Sequence, residues 1–213
     1  MNKTNQIKLN KLYFYQQLSY FDASKRGFMF SENLVTQMAA YFLRKETHPM
    51  KYIKLLKLLY LAEREAMAKW GQSISGDRFV SMPQGPVLSQ TYDLIKGSSS
   101  DSGSIWEVTI KGEANYKVAV ESDLDEDFFD ELSKAETNLL DDIYKKFGGF
   151  TGFELVTYTH DHCQEWSDPN GSSYPIKPKA ILEAMGKTET QICEMLIHVS
   201  EETALTHLKN SLR

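Results

Sequence analysis

The stretch from Met50 to Trp70 constrains the fold of this chain more than any other segment. Its middle is apolar at almost every position, through Ile53, Leu55, Leu56, Leu58, Leu59, Tyr60 and Leu61. A helix that is apolar on nearly every side must be covered by other elements, so it belongs at the centre of a domain. Gly71 follows and is a typical helix stop. We therefore predict a central helix over Met50–Trp70.

Helical signals recur on both sides of this segment. Ser31 is a suitable cap for a helix of 3.6-residue periodicity, and Pro49 ends that helix. Ser133 and Thr151 each begin a capping-box pattern, and Pro86 is acceptable at a first helical position. The predicted helices cover about 32–47, Val87–Lys96, 134–147, 152–161, 178–185 and 189–210.

Short β-forming segments lie between the helices. Glycines and prolines frame a strand-like run around Arg78–Met82, and the runs Ile105–Lys111 and Asn115–Val120 predict a hairpin. The segment Glu121–Glu131 contains seven acids in eleven residues, which predicts a solvated connection. The expected fold class is mainly α with a small β-hairpin (α+β), a compact helical domain around the central apolar helix.

Residues 1–30 differ from the rest and are predicted to be an N-terminal extension, with the main domain over 31–213. The extension is rich in aromatic side chains, which argues against a disordered tail. They are Tyr13, Phe14, Tyr15, Tyr20, Phe21, Phe28 and Phe30. Two interpretations stay open: a helix docked on the domain, or an arm that binds a partner through residues such as Tyr13 and Phe14.

Composition limits the compartment and the partners. No run of about 18 uncharged apolar residues is present, which argues against a membrane span. Cys163 and Cys193 are the only cysteines, too few for a disulfide framework, so a reducing cytoplasm fits best. The net charge is −5, yet residues 1–60 hold ten Lys and Arg against three acids. This asymmetry either steers a charged partner or only distinguishes two faces.

The sequence contains only weak signals for a metal-binding or catalytic site. His160 and Cys163 have helical spacing suited to one metal ion, but no second ligand cluster accompanies them. Cys163 lacks a recognised hydrolase signature, and phosphate-binding glycine loops are absent. We therefore predict no catalytic residue, no metal ligand and no cofactor, and thus a protein that is not an enzyme.

Nucleic-acid binding is a further alternative. Lys51, Lys54 and Lys57 form a ridge on the central helix that suits phosphate contacts. The same helix is too apolar to lie exposed in a groove, so these lysines are expected to snorkel or to pair with acids such as Asp77.

Two linked motifs carry a family resemblance. Lys57–Arg64 reads KLLYLAER, and Ile74–Val87 reads ISGDRFVSMPQGPV. Together with later matches they resemble the Panacea domain, also called the SocA-like antitoxin domain, over about Leu34 to Ala204. The later matches are Ser89, Tyr92-Asp93, Trp106, His162, Glu165-Trp166, Pro175-Ile176, Ile181-Leu182, Ala184 and Gly186.

The resemblance implies the antitoxin of a bacterial or phage toxin–antitoxin module, carried for example by a prophage or mobile element. Such proteins neutralise a cognate toxin by direct contact and are not known to be catalytic. The alternatives are an adaptor that delivers a toxin to an energy-dependent protease and a mobile-element regulator that binds DNA.

The motif residues divide into two predicted roles. A structural set is expected to build a rigid loop on the central helix: Lys57, Tyr60, Gly76, Asp77, Pro83, Gly85 and Pro86. Asp77 is expected either to accept from backbone N–H groups or to pair with Lys57. A partner-binding set is expected at Arg78, Met82, Gln84, Trp166, Tyr13 and Phe14.

Overall fold

The computed structural model describes residues 30–98, 103–121 and 124–211. The helices are α1 (Glu32–Leu43), α2 (Tyr52–Trp70), α3 (Ser89–Ile95), α4 (Ile105–Thr109), α5 (Lys134–Phe147), α6 (Gly152–His162), α7 (Pro178–Ala184) and α8 (Glu189–Ser211), with a 3-10 turn over Glu126–Phe129. The strands are β1 (Met50–Lys51), β2 (Phe79–Met82), β3 (Gly85–Leu88), β4 (Ile110–Glu113), β5 (Lys117–Val120) and β6 (Tyr174–Pro175).

The strands form two small antiparallel sheets. The first has the order β1-β5-β4, and Met50 pairs with Val118. The second has the order β3-β2-β6, in which Met82 pairs with Gly85 across a tight turn and Ser81 pairs with Tyr174. The predicted α+β class is confirmed, with two small sheets in place of a single hairpin.

Helix α2 lies at the centre of the molecule, as its composition predicted. Every residue from Leu55 to Glu63 is buried, because α1, α5, α6, α7 and β3 all pack against it. Burial of a leucine side chain contributes roughly 1.5–3 kcal/mol, so this helix is a main source of stability. Gly71 ends it with a φ of +78°, the left-handed conformation that glycine adopts without strain.

The predicted caps are present. The Ser31 hydroxyl accepts from the N–H of Leu34 at 3.2 Å, and its backbone N–H donates to Ser75 O at 2.8 Å. Ser133 and Thr151 both form complete capping boxes at the starts of α5 and α6. Helix α1 is buried from Val35 to Leu43, so it is a second core helix.

Several local predictions were wrong. Met50 and Lys51 form β1, so the central helix begins at Tyr52, and α1 ends at Leu43 instead of near residue 47. Ile105–Thr109 is helical, because Ser104 caps it and Trp106 is buried; only 110–113 and 117–120 form the hairpin. Residues 85–88 form a strand, so the helix predicted from Val87 begins at Ser89. The acidic connection contains the 3-10 turn, whose Phe129 is buried beneath the Arg44 guanidinium at 4.2 Å from the ring.

The extension predicted over 1–30 lies outside the described residues except for Phe30, which packs against the core. Within the described ranges, each helix is too short or too polar to span a lipid bilayer.

Candidate functional site

The motif residues converge on the turn between β2 and β3. Pro83 and Gln84 form the turn and are exposed, and Met82 before them is half-buried. Gly85 follows with a φ of +92°, which side-chain-bearing residues rarely adopt. The turn therefore combines an exposed tip with a backbone that only glycine suits.

Lys57 lies directly beneath this turn. Its side chain is fully buried, and its Nζ donates to Pro86 O at 2.9 Å. A Cβ atom on Gly85 would lie 2.7 Å from both Lys57 Nζ and Thr159 Oγ1. Lys57 of α2 and Thr159 of α6 thus approach β3 so closely that only a glycine fits at position 85. Burial lowers the pKa of Lys57 to about 7.

Asp77 fixes the strand at its other end. Its carboxylate accepts from the N–H groups of Gln90 at 2.9 Å and Thr91 at 2.8 Å, in the first turn of α3. It also accepts from the Arg78 N–H and the Thr91 hydroxyl. The prediction that Asp77 accepts from backbone groups is confirmed. The alternative pairing with Lys57 is wrong, because Lys57 binds Pro86 O instead.

Glu63 holds the loop that leads into this strand. Its buried carboxylate accepts from the N–H groups of Ile74 and Ser75 and from the Ser75 hydroxyl. Burial raises its pKa to about 7. Gly76 follows with a φ of +72°, in the left-handed region that favours glycine. Glu63 was not predicted from the sequence, although a carboxylate among the apolar positions of a central helix was a detectable signal.

The segment after α6 closes the site from the other side. Glu165 accepts from the Tyr60 hydroxyl at 2.6 Å and from Arg64 Nη2 at 3.1 Å, while Arg64 Nε makes a second ion-pair contact. Trp166 donates through its indole N–H to Met82 O at 3.0 Å and stacks on His160 at 4.0 Å between ring centroids. The segment after α6 therefore connects the two motifs, because it contacts Tyr60 and Arg64 in the first and Met82 in the second.

A comparison with protein-family models gives a match over the region that contains these contacts. The family model described as antitoxin SocA-like, Panacea domain, matches residues 55–167, which is more than half of the chain. The chain belongs to this family. Neither the comparison with curated proteins nor that with solved structures gave a match.

The Panacea domain places the predicted binding residues at the surface in part. Arg78 and Gln84 are exposed, whereas Met82 and Trp166 are half-buried and in contact through the indole hydrogen bond. Tyr13 and Phe14 lie outside the described residues. Of the predicted structural set, Lys57, Tyr60, Asp77, Gly85 and Pro86 are buried, Gly76 is half-buried and Pro83 is exposed.

Burial shifts the pKa values of two titratable side chains near the turn, Cys163 and His160. Burial raises the pKa of the Cys163 thiol to about 12, so the thiol stays protonated near neutral pH and is a poor nucleophile. Burial also lowers the pKa of His160, since its ring lies beneath Trp166 close to Lys57. In the part of the chain that the structure describes, no three His, Cys, Asp or Glu side chains converge as metal ligands would.

The lysine ridge that suggested phosphate contacts is not a surface of the domain. Lys57 is buried, and Lys54 donates to Glu46 at 2.6 Å and to Gly148 O at 2.7 Å. Lys51 is the one exposed member of the three. Lys54 thus pairs with an acid, as expected of these lysines, although the acid is Glu46 and not Asp77. The three lysines do not form one ridge, because Lys51 lies in β1 and Lys57 is covered by the neighbours of α2.

Proposed function

We propose that this protein is the antitoxin of a bacterial or phage toxin–antitoxin module. It acts in the cytoplasm and neutralises a co-encoded toxin by direct binding at the β2–β3 turn. The observation that carries the proposal is that the motif contains two kinds of residue, a buried set that stabilises the turn and an exposed set that is available to a partner. Its polar groups beneath the turn bond to one another, while Arg78, Pro83 and Gln84 are exposed.

The chemistry of the turn supports protein binding. Interface centres are enriched in arginine, methionine and tryptophan, and Arg78, Met82 and Trp166 are residues of these types near the turn. A rigid turn loses little conformational entropy when a partner binds, which favours affinity. A stable complex buries on the order of 1,600 Å² in total, so neighbouring surfaces must also contribute.

The test is co-expression with the open reading frame adjacent to this gene. Wild type is expected to restore growth of cells that express this toxin. Replacement of both exposed residues, Arg78→Glu with Gln84→Glu, is expected to abolish rescue and co-purification. Lys134→Glu is the control, because it is an exposed lysine in the first turn of α5, where a carboxylate is tolerated.

Each variant must keep the melting temperature of the wild type, which shows that the fold is intact. Full rescue by the doubly substituted turn variant would contradict binding at this turn. Repeating the experiment in a host that lacks energy-dependent proteases separates two mechanisms. Rescue that persists there supports neutralisation by binding, whereas rescue that is lost there shows delivery to a protease.

A further inference from the structure

The turn between β4 and β5 carries an unusual residue. Asn115 and Tyr116 both have a φ of +61°, the left-handed region that asparagine tolerates and a bulky side chain does not. The Tyr116 side chain is also 74% exposed. A glycine here would avoid the strained backbone, so Tyr116 costs stability at this position.

Other residues around Tyr116 form a defined cluster with it. The Tyr52 ring meets the Tyr116 ring edge-on at 6.1 Å, and the Tyr52 N–H donates to Tyr116 O at 2.9 Å. Lys96 Nζ lies 4.8 Å from the ring centre of Tyr52 and 5.5 Å from that of Tyr92. We call Lys51, Tyr52, Tyr92, Lys96, Tyr116 and Lys117 the tyrosine–lysine surface.

Positive charge is concentrated on this surface of an otherwise acidic protein. Lys51 and Lys117 face each other across β1 and β5, where like charges destabilise a strand pair. The hydroxyl of Tyr52 accepts from Lys96 at 3.3 Å and thereby raises the pKa of this lysine, which stays charged. Glu113, paired with Lys117 in the sheet, is the nearest acid along the strands and offsets part of this charge.

We propose that the tyrosine–lysine surface binds an acidic segment of a protein partner. Carboxylates of the partner would relieve the repulsion between Lys51 and Lys117. Tyrosine rings supply contact area at low cost in side-chain entropy, and tyrosine is enriched among the residues that dominate binding energies. The net charge of −5 opposes an anionic partner in proportion to that partner's charge, so a short run of carboxylates fits this surface better than a long nucleic-acid strand.

The inference does not depend on toxin binding at the β2–β3 turn, because Tyr116 belongs to the other sheet. Its test uses a fluorescent twelve-residue peptide in which pairs of glutamates alternate with single leucines. Fluorescence anisotropy of the full-length protein should show saturable binding. Tyr116→Gly is expected to weaken binding by about tenfold or more. Its melting temperature should equal or exceed that of the wild type, because glycine removes the backbone strain.

Phe153→Ala is the matched control, since Phe153 is an aromatic residue of almost the same exposure (73%) on α6. It is expected to leave peptide binding unchanged. The variant with Arg78→Glu and Gln84→Glu should also bind the peptide normally, which separates this proposal from toxin binding. Absence of binding by the wild type, or equal binding by Tyr116→Gly, would overturn the inference. Displacement of the peptide by a twelve-nucleotide oligouridine at a much lower concentration than by unlabelled peptide would assign the surface to nucleic acid instead.

Discussion

Lys57 occupies a place in this protein that lysine rarely takes, because a buried ammonium group loses its hydration. One hydrogen bond to Pro86 O replaces that hydration only in part. The folded protein therefore favours the neutral amine, and the pKa falls to about 7. Between this value and the ordinary value of 10.5, the unfolded chain binds a proton that the folded chain does not. The contribution of Lys57 to the free energy of unfolding must therefore rise with pH in this window.

Lys57→Met tests this link between burial and pH. The free energy of unfolding of the wild type should increase relative to that of the variant between pH 7 and 10, by at least about 1 kcal/mol. Urea denaturation at four pH values measures the difference. The exposed Lys145→Met serves as the control, and its difference from the wild type should stay flat. A flat curve for Lys57→Met would show that the buried lysine keeps its proton throughout.

Gly85 is expected to be essential for stability, because the chain is strained and crowded at this position for any other residue. Gly85→Ala forces an alanine to a φ of +92° and places its methyl group against Lys57 and Thr159. We expect a loss of about 3 kcal/mol in the free energy of unfolding, from backbone strain and overpacking together.

Gly97→Ala isolates the backbone contribution, because Gly97 has a φ of +68° and open space around it. It should cost about 1 kcal/mol. Equal losses in the two variants, measured by chemical denaturation, would mean that the close contact beneath the turn adds nothing.

For Asp77 the sequence left two alternatives open, acceptance from backbone N–H groups or a pair with Lys57, and the structure shows the first. The sequence did not indicate the actual partner of Lys57. The Pro86 carbonyl carries no signal in the sequence, since every residue has one. Glu63 was missed for a similar reason: its partners are the backbone N–H groups of Ile74 and Ser75, which only the folded loop brings together.

Helices were predicted well because their periodicity and caps are local properties of the sequence. The capping boxes at Ser133 and Thr151 gave the starts of α5 and α6 correctly. Helix α4 was not foreseen, because Ile105–Thr109 consists mostly of β-forming residues. Burial of Trp106 and the Ser104 cap outweigh that preference.

Strand β3 was not predicted, because its sequence favours the start of a helix. Gly85-Pro86 has the composition of a helix start, but Pro86 lies at the edge of the sheet, where a strand tolerates a residue without an N–H group. Its free carbonyl then becomes the acceptor for Lys57. The local sequence is compatible with both structures, and packing under the turn selects the strand.

Asp77→Ala is expected to weaken helix α3, because Asp77 caps this helix from a distant segment. The substitution leaves the N–H groups of Gln90 and Thr91 without their acceptor. We expect a loss of about 3 kcal/mol in stability and a lower melting temperature. Thermal denaturation followed by circular dichroism provides the measurement. A variant that melts normally but no longer binds the toxin would move Asp77 to the interface instead.

For the whole molecule, we propose that residues 31–213 form the folding unit. The first described segment supports this boundary, because Ser31 caps α1 and donates to Ser75 O. A chain that begins at Phe30 should therefore fold. We expect the preceding residues to contribute less than about 1 kcal/mol to the free energy of unfolding, so its melting temperature should lie within about 4 °C of that of the full-length protein. Differential scanning calorimetry tests this expectation. Aggregation or non-cooperative melting of the shortened chain would place the boundary earlier.

The second sheet limits how any partner can be recognised. One edge is β6, which is two residues long and includes Pro175, and the other edge is β3, which is buried. Neither offers the unpaired backbone ladder to which a foreign strand adds. Recognition at this end of the protein must therefore use side chains. Specificity that depends on side chains changes when a few exposed residues are exchanged, while the scaffold stays the same. Proteins with this fold can therefore acquire new binding partners by point substitution.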